Sequence, residues 1–107
     1  MGTASKSFGD GSGGWVAHVM ADPAGDILLI KRFPDIPAAG AGHGEVEIFA
    51  AADRSYVEVE DHNQQVMIGA GQSSTWQVRW YLRRLPMATT RTAGNQSLVD
   101  FVVAQMR

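Results

Sequence analysis

The stretch HGEVEIFAAADRSYVEVEDH, residues 43–62, decides the fold, because two runs of strict alternation flank the segment AAADR. All four glutamates of the chain, Glu45, Glu47, Glu58 and Glu60, lie in it, as do two of the three histidines, His43 and His62. Side chains in a strand alternate between faces with period two. Pairing the runs around AAADR sets His43 opposite His62, Glu45 opposite Glu60 and Glu47 opposite Glu58. Val46 then meets Val59, and Ile48 meets Val57, on the other face. A register shifted by two staggers these pairs and keeps the same face assignments. The hairpin thus has one apolar face and one face of carboxylates and imidazoles.

Outward from this hairpin the chain continues to read as strands. WVAHVM (15–20) and DILLIKRF (26–33) are apolar runs joined by ADPAG, a Pro/Gly turn, and make a first hairpin. PDIPAAGAG (34–42) is a loop. NQQVMIGAGQSS (63–74) gives a short apolar piece at 66–68 and a glycine turn. TWQVRWYLRRL (75–85) alternates, with Trp76, Val78, Trp80 and Leu82 on an expected core face and Gln77, Arg79, Tyr81 and Arg83 on the other. NQSLVDFVVAQM (95–106) is the one convincing helix, with Asn95 or Ser97 as cap and Leu98, Phe101, Val102 and Gln105 at helical spacing. The Gly/Ser-rich residues 1–14 show no apolar period and are expected to be a flexible segment. The fold class is therefore mainly β: an antiparallel sheet or sandwich with one C-terminal α-helix, in a single domain over residues 15–107.

Composition narrows the function. A chain of 107 residues with 45% apolar and 19% charged residues builds one globular core and not two. Nine basic against eleven acidic residues leave no positive excess to draw it to nucleic acid or an anionic membrane. No apolar run approaches the roughly 18 residues of a membrane helix, and the N-terminus lacks the pattern of a signal peptide. The absence of cysteine excludes thiolate metal sites and is compatible with a cytoplasmic location.

The acidic face is costly. Glu is a poor strand former, and two carboxylates about 5 Å apart repel by roughly 3 kcal/mol at an effective dielectric near 20. Three arrangements would offset this. Solvent together with Arg54, Arg79 and Arg83 would neutralise an exposed face and leave a non-catalytic structural chain. A divalent metal, Zn²⁺ or Mn²⁺, would take ligands from His43, Glu45, Glu47 and His62 and leave a position for water, with Glu58 or Glu60 as general base. That chemistry suits hydrolysis of an ester or phosphoester. A sugar would be held by carboxylates accepting its hydroxyl hydrogen bonds, with Glu60 as base and Arg79 as a polar partner. Of these, the metal-assisted hydrolase of a small-molecule substrate is the favoured expectation.

Residues elsewhere are given structural roles. His18 shares parity with Val16 and Met20 and is read as a core or edge residue. Lys31 and Arg32 are read as solvated strand-end charges, and Asp61 as a turn residue. GDGSGG (9–14) precedes a strand and not a helix, so it is not a phosphate-binding loop.

The run YVEVEDHNQQVMIGAGQSSTWQVRWYLRRLP (56–86) resembles the closing strands of galactose-mutarotase-like supersandwich proteins, in particular a bacterial group. The resemblance rests on the E-x-E strand at Glu58 and Glu60, the GAGQS turn and the WQVRWYL strand. GWVAHVM, LLIKRF and GEVEIF fit the preceding strands, so most of residues 14–105 are covered. It implies a supersandwich, a sheet face that binds sugars, and Glu60 at the position of the aldose epimerases' catalytic base. It also implies that the chain corresponds to a C-terminal portion, since the family's catalytic histidine lies in an earlier part with no counterpart here. Half a sandwich exposes apolar surface and sheet edges, so a homodimer or larger homo-oligomer is expected.

Overall fold

The computed structural model describes residues 2–36, 44–86 and 92–107. These residues are mainly β, with six antiparallel strands in two three-stranded sheets and one C-terminal helix among them. Strands β1 (Ser5–Gly9), β4 (Val46–Ala50) and β5 (Val57–Asp61) form the first sheet in the order β1-β4-β5. Strands β2 (Trp15–Met20), β3 (Ile27–Arg32) and β6 (Arg79–Arg84) form the second in the order β2-β3-β6. Helix α1 (Gln96–Gln105) starts at Asn95, whose Oδ1 accepts from Ser97 N at 3.0 Å.

The layers follow from the parity of the side chains. In the second sheet, Leu28 and Ile30 point to the helix side and are fully buried. With Leu85 and Val102 they form the core, flanked by Trp15, Ala17, Val19, Tyr81, Leu98, Phe101 and Met106. Arg32 Nη1 donates to Met106 O at 3.0 Å and ties the end of the helix to β3. The opposite side of the second sheet carries Lys31, which reaches Val59 and Asp61 of β5. The order of layers is therefore helix, second sheet, first sheet.

Several expectations are corrected. The N-terminal segment is not featureless: residues 5–9 pair with β4, Phe8 opposite Glu47 and Lys6 opposite Phe49. Ser5 and Ser7 alternate with Lys6 and Phe8, and the open edge of β4 supplies the backbone partners that composition does not reveal. The β4–β5 register is the one shifted by two, with Glu47 opposite Glu60 and Phe49 opposite Glu58. The unshifted register needs a two-residue turn at Ala52–Asp53 with positive φ at both, which these residues disfavour. Instead the turn widens. Arg54 N bonds Ala51 O at 3.0 Å, Arg54 itself takes φ 61°, and Asp53 Oδ1 accepts from Ser55 N and Oγ at 3.0 and 2.6 Å.

The strand read over 75–85 is ordered as a strand only from Arg79 to Arg84. Its expected core face is partly open: Trp80 and Leu82 are 67% and 62% exposed. They stand on the edge strand of the second sheet and are left uncovered by the first. The core side of this strand is instead the one bearing Tyr81, beneath the helix. The apolar piece Val66–Met67–Ile68 is exposed and outside any strand. The glycine turn after it forms as expected, with Gln72 N on Gly69 O at 3.0 Å and Gly71 at φ 78°.

Candidate functional site

The outer face of the first sheet, turned away from the second, carries Lys6 and Phe8 from β1, Glu47 and Phe49 from β4, and Glu58 and Glu60 from β5. His62, just beyond β5, continues that face, since its N–H bonds Glu45 O at 2.8 Å and extends the ladder. Three of the expected residues converge there. His62 Nε2 lies 3.2 Å from Glu47 Oε2 and 3.6 Å from Glu60 Oε2. One ligand atom from each of Glu47, Glu60 and His62 falls within 4.8 Å of the others. Both neighbours of Nε2 are acceptors when ionised, so the tautomer that suits this geometry carries its proton on Nε2 and donates it to Glu47.

The charge of this face is offset by a residue that the composition of the N-terminus conceals. Lys6 Nζ forms an ion pair with Glu47 Oε1. Its hydrogen bond holds the Glu47 carboxyl below the usual carboxylate value, against the opposing effect of burial and with help from His62. Glu47 in turn raises the Lys6 ammonium above its ordinary value, with Glu60 and Glu58 adding to the effect. The arginines expected to neutralise this face are not the ones that do so. Phe8, 54% exposed, sits across from Glu47 and supplies an aromatic surface beside the carboxylates.

The other expected site residues lie elsewhere. Glu58 is on the outer face but exposed, opposite Phe49. Arg79 is on the helix side of the second sheet, two layers from the acidic face. There, together with Arg32, it lowers the Tyr81 hydroxyl pKa by hydrogen bonding, and it lines a cleft of about 850 Å³ with Phe33, Asp35 and Gln77. It is not a partner of Glu60. His43 falls outside the described residues. Glu45 leaves the cluster because the chain bends just before β4. Its carboxylate turns to Asp10, Asp35 and Ile36 N, the last at 3.5 Å.

Two residues given bland roles are in fact joined between the sheets. Lys31 Nζ lies 2.6 Å from Asp61 Oδ2 and donates to Val59 O at 2.9 Å, while Trp76 Nε1 donates to Asp61 Oδ1 at 2.7 Å. Lys31 is therefore not a solvated strand end, and Asp61 is not a turn residue. A second cleft of about 630 Å³ opens next to this pair, lined by His18, Leu29, Tyr56, Val57, Val59 and Trp80 among others. His18 thus lines an opening between the sheets.

Compared with family models, curated proteins and solved structures, the chain matches none.

Proposed function

We propose that the outer face of the first sheet is a saccharide-binding surface on which Glu60 and His62 act as a proton-transfer pair. The observation that carries this reading is their 3.6 Å approach, at the same His62 Nε2 that lies 3.2 Å from Glu47. Glu60 keeps 40% of its side chain exposed, so it is open to a ligand, whereas Glu47 is buried and committed to Lys6. Exposed Phe8 offers the apolar platform that a sugar ring needs beside its polar groups. The resemblance of residues 56–86 to aldose-epimerase-like strands points the same way, since Glu60 matches that family's base.

In this scheme Glu60 takes the proton of an anomeric hydroxyl while His62, in its imidazolium form, gives its Nε2 proton to the ring oxygen, and ring closure returns both protons. The bond from the anomeric carbon to the ring oxygen breaks and re-forms on the other side, with no net oxidation. Optical rotation of a freshly dissolved pure anomer of an aldohexose tests this. Glu60→Gln should lower the protein-dependent rate by about 100-fold or more, the usual contribution of a general base. A wild-type rate no faster than buffer rejects the reading.

One observation favours a second reading. The spacing of Glu47, Glu60 and His62 ligand atoms suits a Zn²⁺ or Mn²⁺ ion and thus a metal-assisted hydrolase of esters or phosphoesters. Lys6 already pairs with Glu47 Oε1 and leaves only Oε2 for an ion, which places this reading second. Near-stoichiometric transition metal in the dialysed protein, lost in Glu60→Gln and His62→Ala, would reverse the order.

A further inference from the structure

We infer that Asp10, Asp35 and Glu45 form a separate binding site for a hard divalent cation, of the calcium type. The three carboxylates come from three distant parts of the chain. Asp10 lies in the β1–β2 connection, Asp35 follows β3, and Glu45 precedes β4. Ligand oxygens from all three fall within 4.8 Å of one another. The backbone fixes this convergence at Gly44, where a Cβ would come within 2.7 Å of Gly9 O and 2.9 Å of Gly9 N. The end of β1 is thereby pressed against the entry to β4, and Asp10 is brought beside Glu45.

The second observation is Glu45 itself. Its side chain is 0% exposed, and its Oε1 is buried without a hydrogen-bond partner. The rest of the carboxyl has the long contact of Oε2 to Ile36 N and a side-chain hydrogen bond with Asp10. A buried carboxylate is either protonated or compensated by positive charge. Among the described residues no lysine, arginine or histidine forms an ion pair with Asp10, Asp35 or Glu45. Arg32 and Arg79 line the neighbouring cleft with Asp35 and stop short of ion-pair distance. The contrast with the outer face is direct, since Glu47 there has both Lys6 and His62.

The donor set names the class of ion. Three carboxylates and no nitrogen or sulfur suit Ca²⁺ or Mg²⁺ over Zn²⁺, and three elements joined by turns suit the larger, more tolerant Ca²⁺ shell. A cation seated there would complete Glu45 Oε1 and tie β1, the β3 exit and β4 together.

The test is calcium titration of the chelator-treated, dialysed chain by calorimetry, alongside thermal melts. Calcium at a hundred times its dissociation constant should raise the melting temperature by roughly 10 °C. Asp10→Asn and Asp35→Asn, both at exposed positions, should each weaken binding at least tenfold. Glu45→Gln should abolish it. Glu60→Gln should leave calcium binding intact, which separates this site from the outer face. Neither heat nor a melting shift at about 10 mM calcium, above the weakest class of protein calcium sites, overturns the assignment. So does a calcium response that survives in the Asp10→Asn/Asp35→Asn double variant.

Discussion

Removing the Asp61 carboxylate should cost more than any other single charge deletion between the sheets, because it joins two of them and holds a tryptophan. The Lys31 and Asp61 side chains are only 12% and 6% exposed, with Nζ and Oδ2 2.6 Å apart. At an effective dielectric near 20 their gross attraction is about 6 kcal/mol, most of it spent against lost hydration. Deleting one partner strands the other, at about 3–5 kcal/mol for a buried pair. The ammonium keeps Val59 O at 2.9 Å and the Trp80 ring at 5.7 Å, so the low end applies. Asp61→Ala also leaves Trp76 Nε1 without its acceptor. Together these give a loss of about 3 kcal/mol, which shifts the melting temperature by roughly 12 °C in a domain near 100 residues. Asp61→Asn keeps an acceptor for Trp76 and should lose about 2 kcal/mol. Urea unfolding of Asp61→Ala, Lys31→Met and the double variant closes a cycle. The double loss should fall short of the summed single losses by about 2 kcal/mol. Additivity within about 0.5 kcal/mol would refute a direct coupling between the two sheets through this pair.

Acid unfolding should expose the Lys6–Glu47 pair. Glu47 is held below its ordinary value, so its contribution is complete above that value and is lost as pH falls through the depressed one. The stability difference between wild type and Lys6→Met should therefore be constant at neutral pH and shrink in acid; a difference unchanged down to about pH 2 would contradict it. The raised Lys6 value adds the mirror effect, a contribution present below its ordinary value and lost as pH rises through the raised one. Arg54→Gly should stabilise the β4–β5 hairpin by roughly 0.5 kcal/mol, since a left-handed residue at φ 61° costs about 1 kcal/mol and glycine returns part of that as backbone entropy. We further propose that the open edge bearing Trp80, Leu82, Tyr56 and Val57 is covered by a second copy. Sedimentation at micromolar concentration should give a dimer, and Trp80→Glu a monomer; a monomeric wild type disproves it.

Much of the fold was readable because two signals are local. Short apolar or alternating runs marked β2 to β5 and the core of β6, and an Asn cap before a helical apolar spacing marked α1. What escaped depends on partners remote in sequence. Nothing within SKSFG states that β4 needs an edge partner, yet that partner brings Lys6 and Phe8 to the candidate site. Trp80 and Leu82 read as core because their parity is apolar, but parity says only that two residues share a face. Whether another layer covers that face depends on how far the first sheet extends.

The same distinction governs the acidic hairpin. Alternation places Glu45, Glu47, Glu58, Glu60 and His62 on one side in either register, and the structure keeps that parity for all but Glu45. Neighbourhood is a separate matter, set by the turn and by where the strand begins. A four-residue turn around Asp53 and Arg54 moved Glu60 from Glu45 to Glu47, which placed it beside His62. The bend before Val46 then sent the Glu45 carboxylate toward Asp10 and Asp35, both in turn segments rich in glycine or proline. Turn acids of that kind are ordinarily read as caps and bends. What separates these two from such a role is the buried, unpartnered oxygen they converge on, a property of three chain segments together that no one of them carries alone. The glutamates of one hairpin thus divide between two clusters, one in which Glu47 meets Lys6 and His62 and one in which buried Glu45 meets Asp10 and Asp35.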